Sequence, residues 1–402
     1  MKKNLVVLAK SWPLDAHGGS IAVTSTLGQY AKFFDSILYV CLEEKEVSDH
    51  LKSYFPNTVF KWVPIKKGGF LKRFIISLLK NKPAITIGLE GTERFQQIKK
   101  HIDLHFSDQE SFVGIIEDNV PSIHLKALKK AYPNTSWAFH SHDVLHKAFE
   151  IFSQIGHPIK RLVWKFELSR IYSFEKRAAK LADHYWTITE EDIQLSAKQF
   201  KRKAEGYIDC DIDTSKFDSL PAGDPFTFLY LGSADIRKSH GLKIFIEDTW
   251  KPLRKRYGNK IQFILGGRNT EQFTDLPNGI QGLGFIKEDL VFLSKGSLFV
   301  NPQKAGSGLK LKSLIAMAAG RVLITSTNGS LGLKGVHEQD YIVANDKSEF
   351  LRSIETILDD PEKQKQISLN AVSHIKTEFS TSAFSKRTQP LLERLWQFHL
   401  SR

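Results

Sequence analysis

"GSLFVNPQKAGSGLKLKSLIAMAAGRVLITST", residues 296–327, contains two short apolar runs separated by a glycine loop and a segment of small residues at helical spacing. The runs at 298–300 and 322–324 show no polar alternation, as strands buried on both faces require. Apolar strand, crossover helix and second apolar strand make a βαβ unit, whose two strands must be parallel. The start of the helix is unusual. A helix N-terminus carries partial positive charge, so a cation there costs about 0.3–1 kcal/mol, yet Lys310 and Lys312 both stand at it. The stretch leaves two readings: an anion opposite these two lysines, or two solvated lysines on a surface helix.

The same alternation extends in both directions. Downstream of residue 225, "FTFLYLG", "IQFILGG", "GSLFVNP", "RVLITST" and "YIVAN" are short strands separated by helical segments. Upstream, "LVVLA" (5–9), "ILYVC" (37–41), "VGII" (113–116), "WAFH" (137–140) and "HYWTIT" (184–189) repeat the pattern. Ser20 is the expected N-cap of the first helix, behind Gly18 and Gly19, and Thr189 opens a capping box with Asp192. The stretch "YIDCDIDTSKFDSLPAGDP" (207–225) is acidic and broken by proline and glycine, and reads as a linker. The expected organisation is α/β, two doubly wound Rossmann-like domains over 1–206 and 226–380, with a C-terminal helix at 381–402 packing back toward the first. Such sheets bind ligands outside the carboxyl ends of their strands, so the expected site is a cleft between the domains.

Bulk properties narrow the function. A chain of 402 residues exceeds one ordinary core, and 41% hydrophobic with 25% charged residues describes a globular protein. The net charge of +13 points to an anionic partner. Two cysteines, Cys41 and Cys210, offer neither a disulfide framework nor metal spacing, as expected in a reducing compartment. The apolar run in "MKKNLVVLAKSWP" is shorter than the roughly 7–15 residues of a signal peptide core, and no stretch approaches the ~18 apolar residues of a membrane span. A cytoplasmic protein is expected. Nucleic acid is excluded as a partner, because no helix-turn-helix or basic strand interleaved with aromatics is present.

The strand-end loops of the second half carry the candidate ligand contacts. They are Gly232, Ser233, Arg237 and Lys238 in "GSADIRKSHG", then Gly266, Gly267 and Arg268 in "GGRNT". Gly284, Phe285 and Ile286 follow in "GLGFIKED", and Asn301, Gly306, Ser307, Gly308, Leu309 and Lys310 in "NPQKAGSGLK", with Lys312 just beyond. Glycines admit a ligand to the backbone and helix-start N–H groups hold phosphate oxygens. Neither a Rossmann fingerprint nor a Walker loop occurs, so this reads as a phosphate-binding surface of another design.

In this order the loops resemble the donor half of the group 1 (family 4) glycosyltransferases, which have the GT-B fold. "GSADIRKSHGLKIFIEDTWKPL" follows a family pattern with Lys251 inserted before the proline. "HSHDV" and "EKRAAKLADHYWTITEED" match the first half more loosely. The resemblance implies a nucleotide-diphosphate sugar as donor, transfer with retention of configuration, and no required metal or other cofactor. Lys310 and Lys312 would then face the donor diphosphate, with the N–H groups of Gly306, Ser307 and Gly308 adding to them, since fixed cations and dipoles must absorb the leaving-group charge. The expected role is cell-surface polysaccharide or glycolipid assembly on a saccharide or lipid-linked acceptor. The family glutamates that hold the donor ribose are replaced by Ile315 and Ser307, so the ribose is held otherwise or the donor site has degenerated. The rival readings are a GT-B epimerase or hydrolase without acceptor and a binding-only relative.

In the first half, Gly18 and Gly19 are candidates for close backbone approach. His142, at a strand end, is a candidate for a hydrogen bond to the transferred sugar or the acceptor hydroxyl. The Asp-x-Asp triplets of "DCDID" (209–213) read as linker rather than as a metal site. From His50 to Leu89 there is no acidic residue, and Lys66, Lys67, Lys72 and Arg73 are among eight basic ones. Within it "FLKRFIISLLK" (70–80) places Phe74, Ile75, Leu78 and Leu79 opposite Lys72, Arg73 and Lys80. Two readings fit: an interfacial helix on anionic lipid at the inner face of the cell membrane, or a covering helix whose apolar face meets the sheet.

Overall fold

In the computed structural model the described residues are 2–14, 18–46, 51–65, 68–107, 110–154, 157–234, 239–304 and 306–402. They form two compact units, Met1–Cys210 together with Phe384–Arg402, and Asp211–Ala383. Each is an α/β unit around one parallel sheet.

Unit 1 contains β1 (Asn4–Ala9), β2 (Ser36–Glu43), β3 (Thr58–Pro64), β4 (Val113–Glu117), β5 (Trp137–Ser141), β6 (His184–Thr187) and β7 (Gly206–Tyr207). Their order is β3-β2-β1-β4-β5-β6-β7, all parallel. Side chains alternate across a strand, and both faces are apolar: Val6 and Leu8 join one buried cluster, Leu5 and Val7 another. Gly114 lies opposite Trp137 in register, and a Cβ built on it would stand 2.1 Å from the indole, so only glycine lets this ring lie across β4.

Unit 2 contains β8 (Asp224–Leu231), β9 (Gln262–Gly266), β10 (Ile280–Gly282), β11 (Gly296–Asn301), β12 (Val322–Thr325) and β13 (Ile342–Val343), in the order β10-β9-β8-β11-β12-β13. The opening βαβ reading holds: β11 and β12 are parallel neighbours joined through helix Leu311–Ala318. In both sheets the chain reverses its direction of winding once, between β1 and β4 and between β8 and β11, which places each switch point.

Three local expectations change. The first helix begins at Gly18, so Ser20 lies inside it rather than capping it. Stretch 207–225 divides between the units: Tyr207 pairs in β7, Ile208 and Cys210 are buried, and Pro225 belongs to β8. Its acids have separate partners, Asp209 with Arg387, Asp211 with Thr381 and Asp213 with Ser215, so they do not converge on one point. Edge strands β3 and β10 were not visible in the pattern. Thr189 does cap helix Glu190–Phe200, accepting from the Asp192 N–H.

The helix Thr381–Leu400 supplies Phe384, Leu391, Leu392, Leu395 and Trp396 to the same cluster as Leu5, Val7, Val23 and Leu27. Arg387 on it donates to both carboxylate oxygens of buried Asp209, at 3.1 and 3.0 Å. No helix among the described residues is long and apolar enough to cross a membrane.

Candidate functional site

In unit 2 the carboxyl ends of β8, β9, β10 and β11 carry most of the loop residues singled out from sequence. Glycines let the first three ends pack without side chains between them. The Gly232 N–H donates to the Gly266 carbonyl at 2.8 Å, and the Gly267 N–H to the Gly284 carbonyl at 2.6 Å. Gly267 has φ +123°, and a Cβ on it would lie 2.2 Å from the Gly232 carbonyl oxygen, so a side chain is excluded on both counts. A Cβ on Gly232 would meet Tyr230 Oη at 2.6 Å and Lys312 Nζ at 2.7 Å. The structure thus brings the Lys312 ammonium and a tyrosine hydroxyl to the bare backbone at the end of β8, beside the switch point.

The β11 end is fixed from beneath. Asn301 Nδ2 donates to Ser313 Oγ at 2.9 Å, Ser313 Oγ donates to the Gly329 carbonyl at 2.9 Å, and Thr325 Oγ1 donates to the Asn301 carbonyl at 2.9 Å. The loop above folds onto its own lysine. Lys310, only 7% exposed, donates from Nζ to the carbonyls of Ser307 at 2.7 Å and Gly308 at 3.0 Å. Asn328 Nδ2 holds the Gly306 carbonyl at 2.8 Å. Lys310 is also the N-cap residue of helix Leu311–Ala318, with no side-chain cap bond and no acid in the first turn. The first N–H groups of this helix therefore have no carboxylate from its own first turn, a geometry that suits an anion. Part of the unusual lysine placement has a local cause, because Lys310 donates hydrogen bonds to carbonyls of the loop. Lys312 is exposed and stands with Tyr230.

Arg268 is exposed, with its guanidinium 6.0 Å from the Phe285 ring centre, and Phe285 is itself exposed. Ile286 packs beneath Gly266, where a Cβ would meet it at 2.6 Å. Ser233 and Leu309 are half-buried. Arg237, Lys238, Lys66 and Lys67 lie outside the described residues. Gly18 and Gly19 open the first helix of unit 1.

The second constellation is in unit 1, at the carboxyl ends of β4 and β5. Glu117, the last residue of β4, is buried and accepts four hydrogen bonds. Oε1 receives His142 Nε2 at 2.7 Å, His140 Nδ1 at 2.9 Å and Thr26 Oγ1 at 3.2 Å, and Oε2 receives Tyr30 Oη at 2.9 Å. The other nitrogen of His140 donates to the Ile208 carbonyl at 2.9 Å, which fixes that ring. Burial opposes the charge on Glu117, but the His140 and His142 rings override it and hold the carboxyl well below its usual range. Burial likewise opposes charge on His142, and its hydrogen bond and attraction to Glu117 raise its pKa above the ordinary imidazole value. The loop bearing His142 is held by buried Glu175, which accepts from the backbone N–H groups of Leu145 and His146 and from Asn119 Nδ2.

His142 was visible as a strand-end histidine; Glu117, Tyr30 and Thr26 were not singled out. The available signal was an acid closing an otherwise apolar buried strand, "VGIIE", whose charge must find partners. Glu117, His140 and His142 place one ligand atom each within 4.8 Å of one another, and among the described residues they are the group that could hold a metal. Their donor set does not fit one as arranged, because both ring nitrogens spend protons on Oε1 where a metal would need lone pairs. The cluster acts as a hydrogen-bonded carboxylate that presents His142.

Two Rossmann-like units, each with its candidate residues at carboxyl strand ends, have the GT-B fold. Residues 225–360, within the second unit, match the family Glycosyl transferases group 1. Over 95 residues the chain is 30% identical to an uncharacterized 44.6 kDa protein in the cps region of Klebsiella pneumoniae, a match spanning 23% of this chain and 24% of that protein. The fold is similar to that of HepE from Anabaena in complex with UDP, with TM-score 0.69, 14% identity, and coverage of 98% of this chain and 100% of that one. Sucrose-phosphate synthase from Thermosynechococcus elongatus is similar to the same degree, with TM-score 0.69, 16% identity, and coverage of 99% and 100%. TarM also matches with TM-score 0.69, at 11% identity over 97% and 98%.

Proposed function

We propose that this protein transfers a sugar, with retention of configuration, from a nucleotide-diphosphate sugar to a saccharide or lipid-linked saccharide acceptor in cell-surface polysaccharide or glycolipid assembly at the cytoplasmic face of the membrane. The observation that carries this reading is the meeting of Lys312 Nζ, Tyr230 Oη and the bare backbone of Gly232 beside the β8/β11 switch point. Breaking the sugar–phosphate bond builds negative charge on the leaving diphosphate. Lys312, the first N–H groups of helix Leu311–Ala318 and the loop held by Lys310 are fixed dipoles and charges that stabilise it. With these cations in place the donor half needs no metal. In unit 1, Glu117 holds Nε2 of His142, so Nδ1 is left to meet a hydroxyl or a developing charge. HepE from Anabaena was solved with UDP and with UDP-glucose, which supports a uridine diphosphate sugar as the first donor to try.

The relative in the cps region of Klebsiella pneumoniae supports a role in surface polysaccharide. The replacement of the family's ribose glutamates by Ile315 and Ser307 favours one competing reading, a binding-only protein. One experiment separates them. A thermal-shift panel of UDP-, GDP- and dTDP-sugars, each at about a hundredfold its dissociation constant, should add about 2.7 kcal/mol for the cognate donor. Release of the nucleotide diphosphate is then measured with and without saccharide acceptors. Stabilisation without any turnover would establish the binding-only reading, and turnover without an acceptor the hydrolase. No stabilisation by any donor would refute the proposal.

A further inference from the structure

We infer that two helices of unit 1, Phe70–Lys80 and Pro158–Leu181, together form a docking platform for an anionic lipid bilayer. The inference rests on that surface alone and stands or falls separately from the donor chemistry.

The helices are locked to each other by a buried polar seam. Glu167 is fully buried. It accepts from Ser77 Oγ at 2.7 Å, from the Ala84 N–H at 2.7 Å and from Arg170 at 2.7 Å. Ser77 is therefore the inward residue of its helix, and of the apolar stripe Ile75, Leu78 and Leu79 turn outward rather than onto the sheet. Ile75 is 50%, Leu78 44% and Leu79 82% exposed. The partner helix does the same: Ile159 is 69%, Leu162 57% and Phe166 54% exposed, at the i, i+3, i+7 spacing of one face. Leu78 and Phe166 are the chain neighbours of Ser77 and Glu167, so both stripes flank one rigid seam. Six large apolar side chains exposed on two packed helices exceed the scattered exposure usual on a protein surface.

The exposed charge on the two helices is of one sign. Helix Phe70–Lys80 has no acid, and helix Pro158–Leu181 has two, Glu167 and Glu175, both buried. Lys72, Arg73, Arg161 and Lys165 stand beside the stripes. Two helices that expose apolar side chains and whose own exposed charges are all basic match an anionic bilayer interface, which offers acyl chains below and negative headgroups above. A nucleic acid would match the charge and leave the leucines and isoleucines unused.

The test is co-sedimentation of the full chain with vesicles of equimolar phosphatidylglycerol and phosphatidylcholine, and with phosphatidylcholine alone. Wild type is expected to sediment with the anionic vesicles, to be released by salt, and to stay in solution with neutral ones. Each of Lys72→Gln, Arg73→Gln, Arg161→Gln and Lys165→Gln should weaken binding about fivefold. The double variant Leu79→Ser with Phe166→Ser should weaken it at least as much with an unchanged melting temperature, since both side chains are exposed. Wild type left in solution with anionic vesicles at low salt would overturn the inference, as would equal sedimentation with both lipids. Self-association in sedimentation velocity that the double variant abolishes, with no vesicle binding, would overturn it in favour of a second copy of the chain.

Discussion

Replacing Glu117 with glutamine keeps the size of the side chain and removes its charge. The carboxylate accepts four hydrogen bonds, three of them at 2.9 Å or shorter. A hydrogen bond to a charged group contributes about 1.5–3 kcal/mol and a neutral one about 0.5–1.5, so each strong bond loses about 1 kcal/mol. Glutamine can leave its oxygen toward the imidazoles and turn its NH2 to Tyr30 Oη, which accepts, so no bond need be lost outright. The expected cost is about 3 kcal/mol, the lower end of what breaking a buried charge pair costs. Its pH dependence identifies the cause. His142 is raised above its usual 6.5, so its contribution is complete below pH 6.5 and is lost as pH rises through the raised value. Glu117 is lowered from its usual 4.5, so its contribution is complete above pH 4.5 and is lost as pH falls through the lowered value. The gap between wild type and Glu117→Gln should therefore be widest between pH 4.5 and 6.5 and should narrow toward alkaline pH. Urea unfolding followed by tryptophan fluorescence measures it, because six of the seven tryptophans belong to unit 1 and Trp250 alone to unit 2. A gap constant from acid to alkaline pH, or one that widens as pH rises, would refute the coupling of His142 to Glu117.

Lys312→Ala should lower turnover with saturating donor by about 10²–10³-fold with little change in melting temperature, as its ammonium is exposed and placed for a leaving anion. Lys310→Ala should lower turnover too, but it also strips partners from the Ser307 and Gly308 carbonyls, so a stability loss of about 1–3 kcal/mol should accompany it in chemical denaturation. Gly232→Ala should abolish donor binding in calorimetry, because the added methyl takes the space between Tyr230 Oη and Lys312 Nζ; binding at wild-type affinity would remove this corner from the site. Gly114→Ala should destabilise unit 1 by about 1–3 kcal/mol in thermal melting through overpacking against Trp137, with donor affinity unchanged.

How much was legible in the sequence depended on whether a residue's role is set locally. The apolar runs that became β1, β2, β4, β5, β8, β9, β11 and β12 are strands buried on both faces, and continuous hydrophobicity reports that directly. Strand β3, "TVFKWVP", lies at the sheet edge with alternate residues outward, and Lys61 in its middle masks it. Strand β10 spans only three residues. The glycines and lysines of the unit 2 loops could be collected because carboxyl strand ends follow from the strands. The inward turn of Lys310 could not, since it depends on the path of residues 306–309. The Glu117 cluster joins residues 26, 30, 117, 140 and 142, which meet only because β4 lies beside β1 and β5. The helix at 70–80 shows the limit most clearly. Its amphipathic pattern was plain, but which face turns inward was decided by one serine meeting a glutamate ninety residues away.

The return of helix Thr381–Leu400 to unit 1 also sets an order of manufacture. Unit 2 is one continuous piece of chain and can finish folding as soon as residue 383 has left the ribosome. Unit 1, although begun first, waits for the residues after it to cover Leu5, Val7, Val23 and Leu27 with Phe384, Leu391, Leu392 and Trp396. Each of those late side chains is worth about 1.5–3 kcal/mol when buried. A chain that stopped before residue 384 would therefore hold unit 2 whole and leave an open apolar trough in unit 1. Such a trough is what chaperones and proteases bind, so the cell can discard incomplete copies.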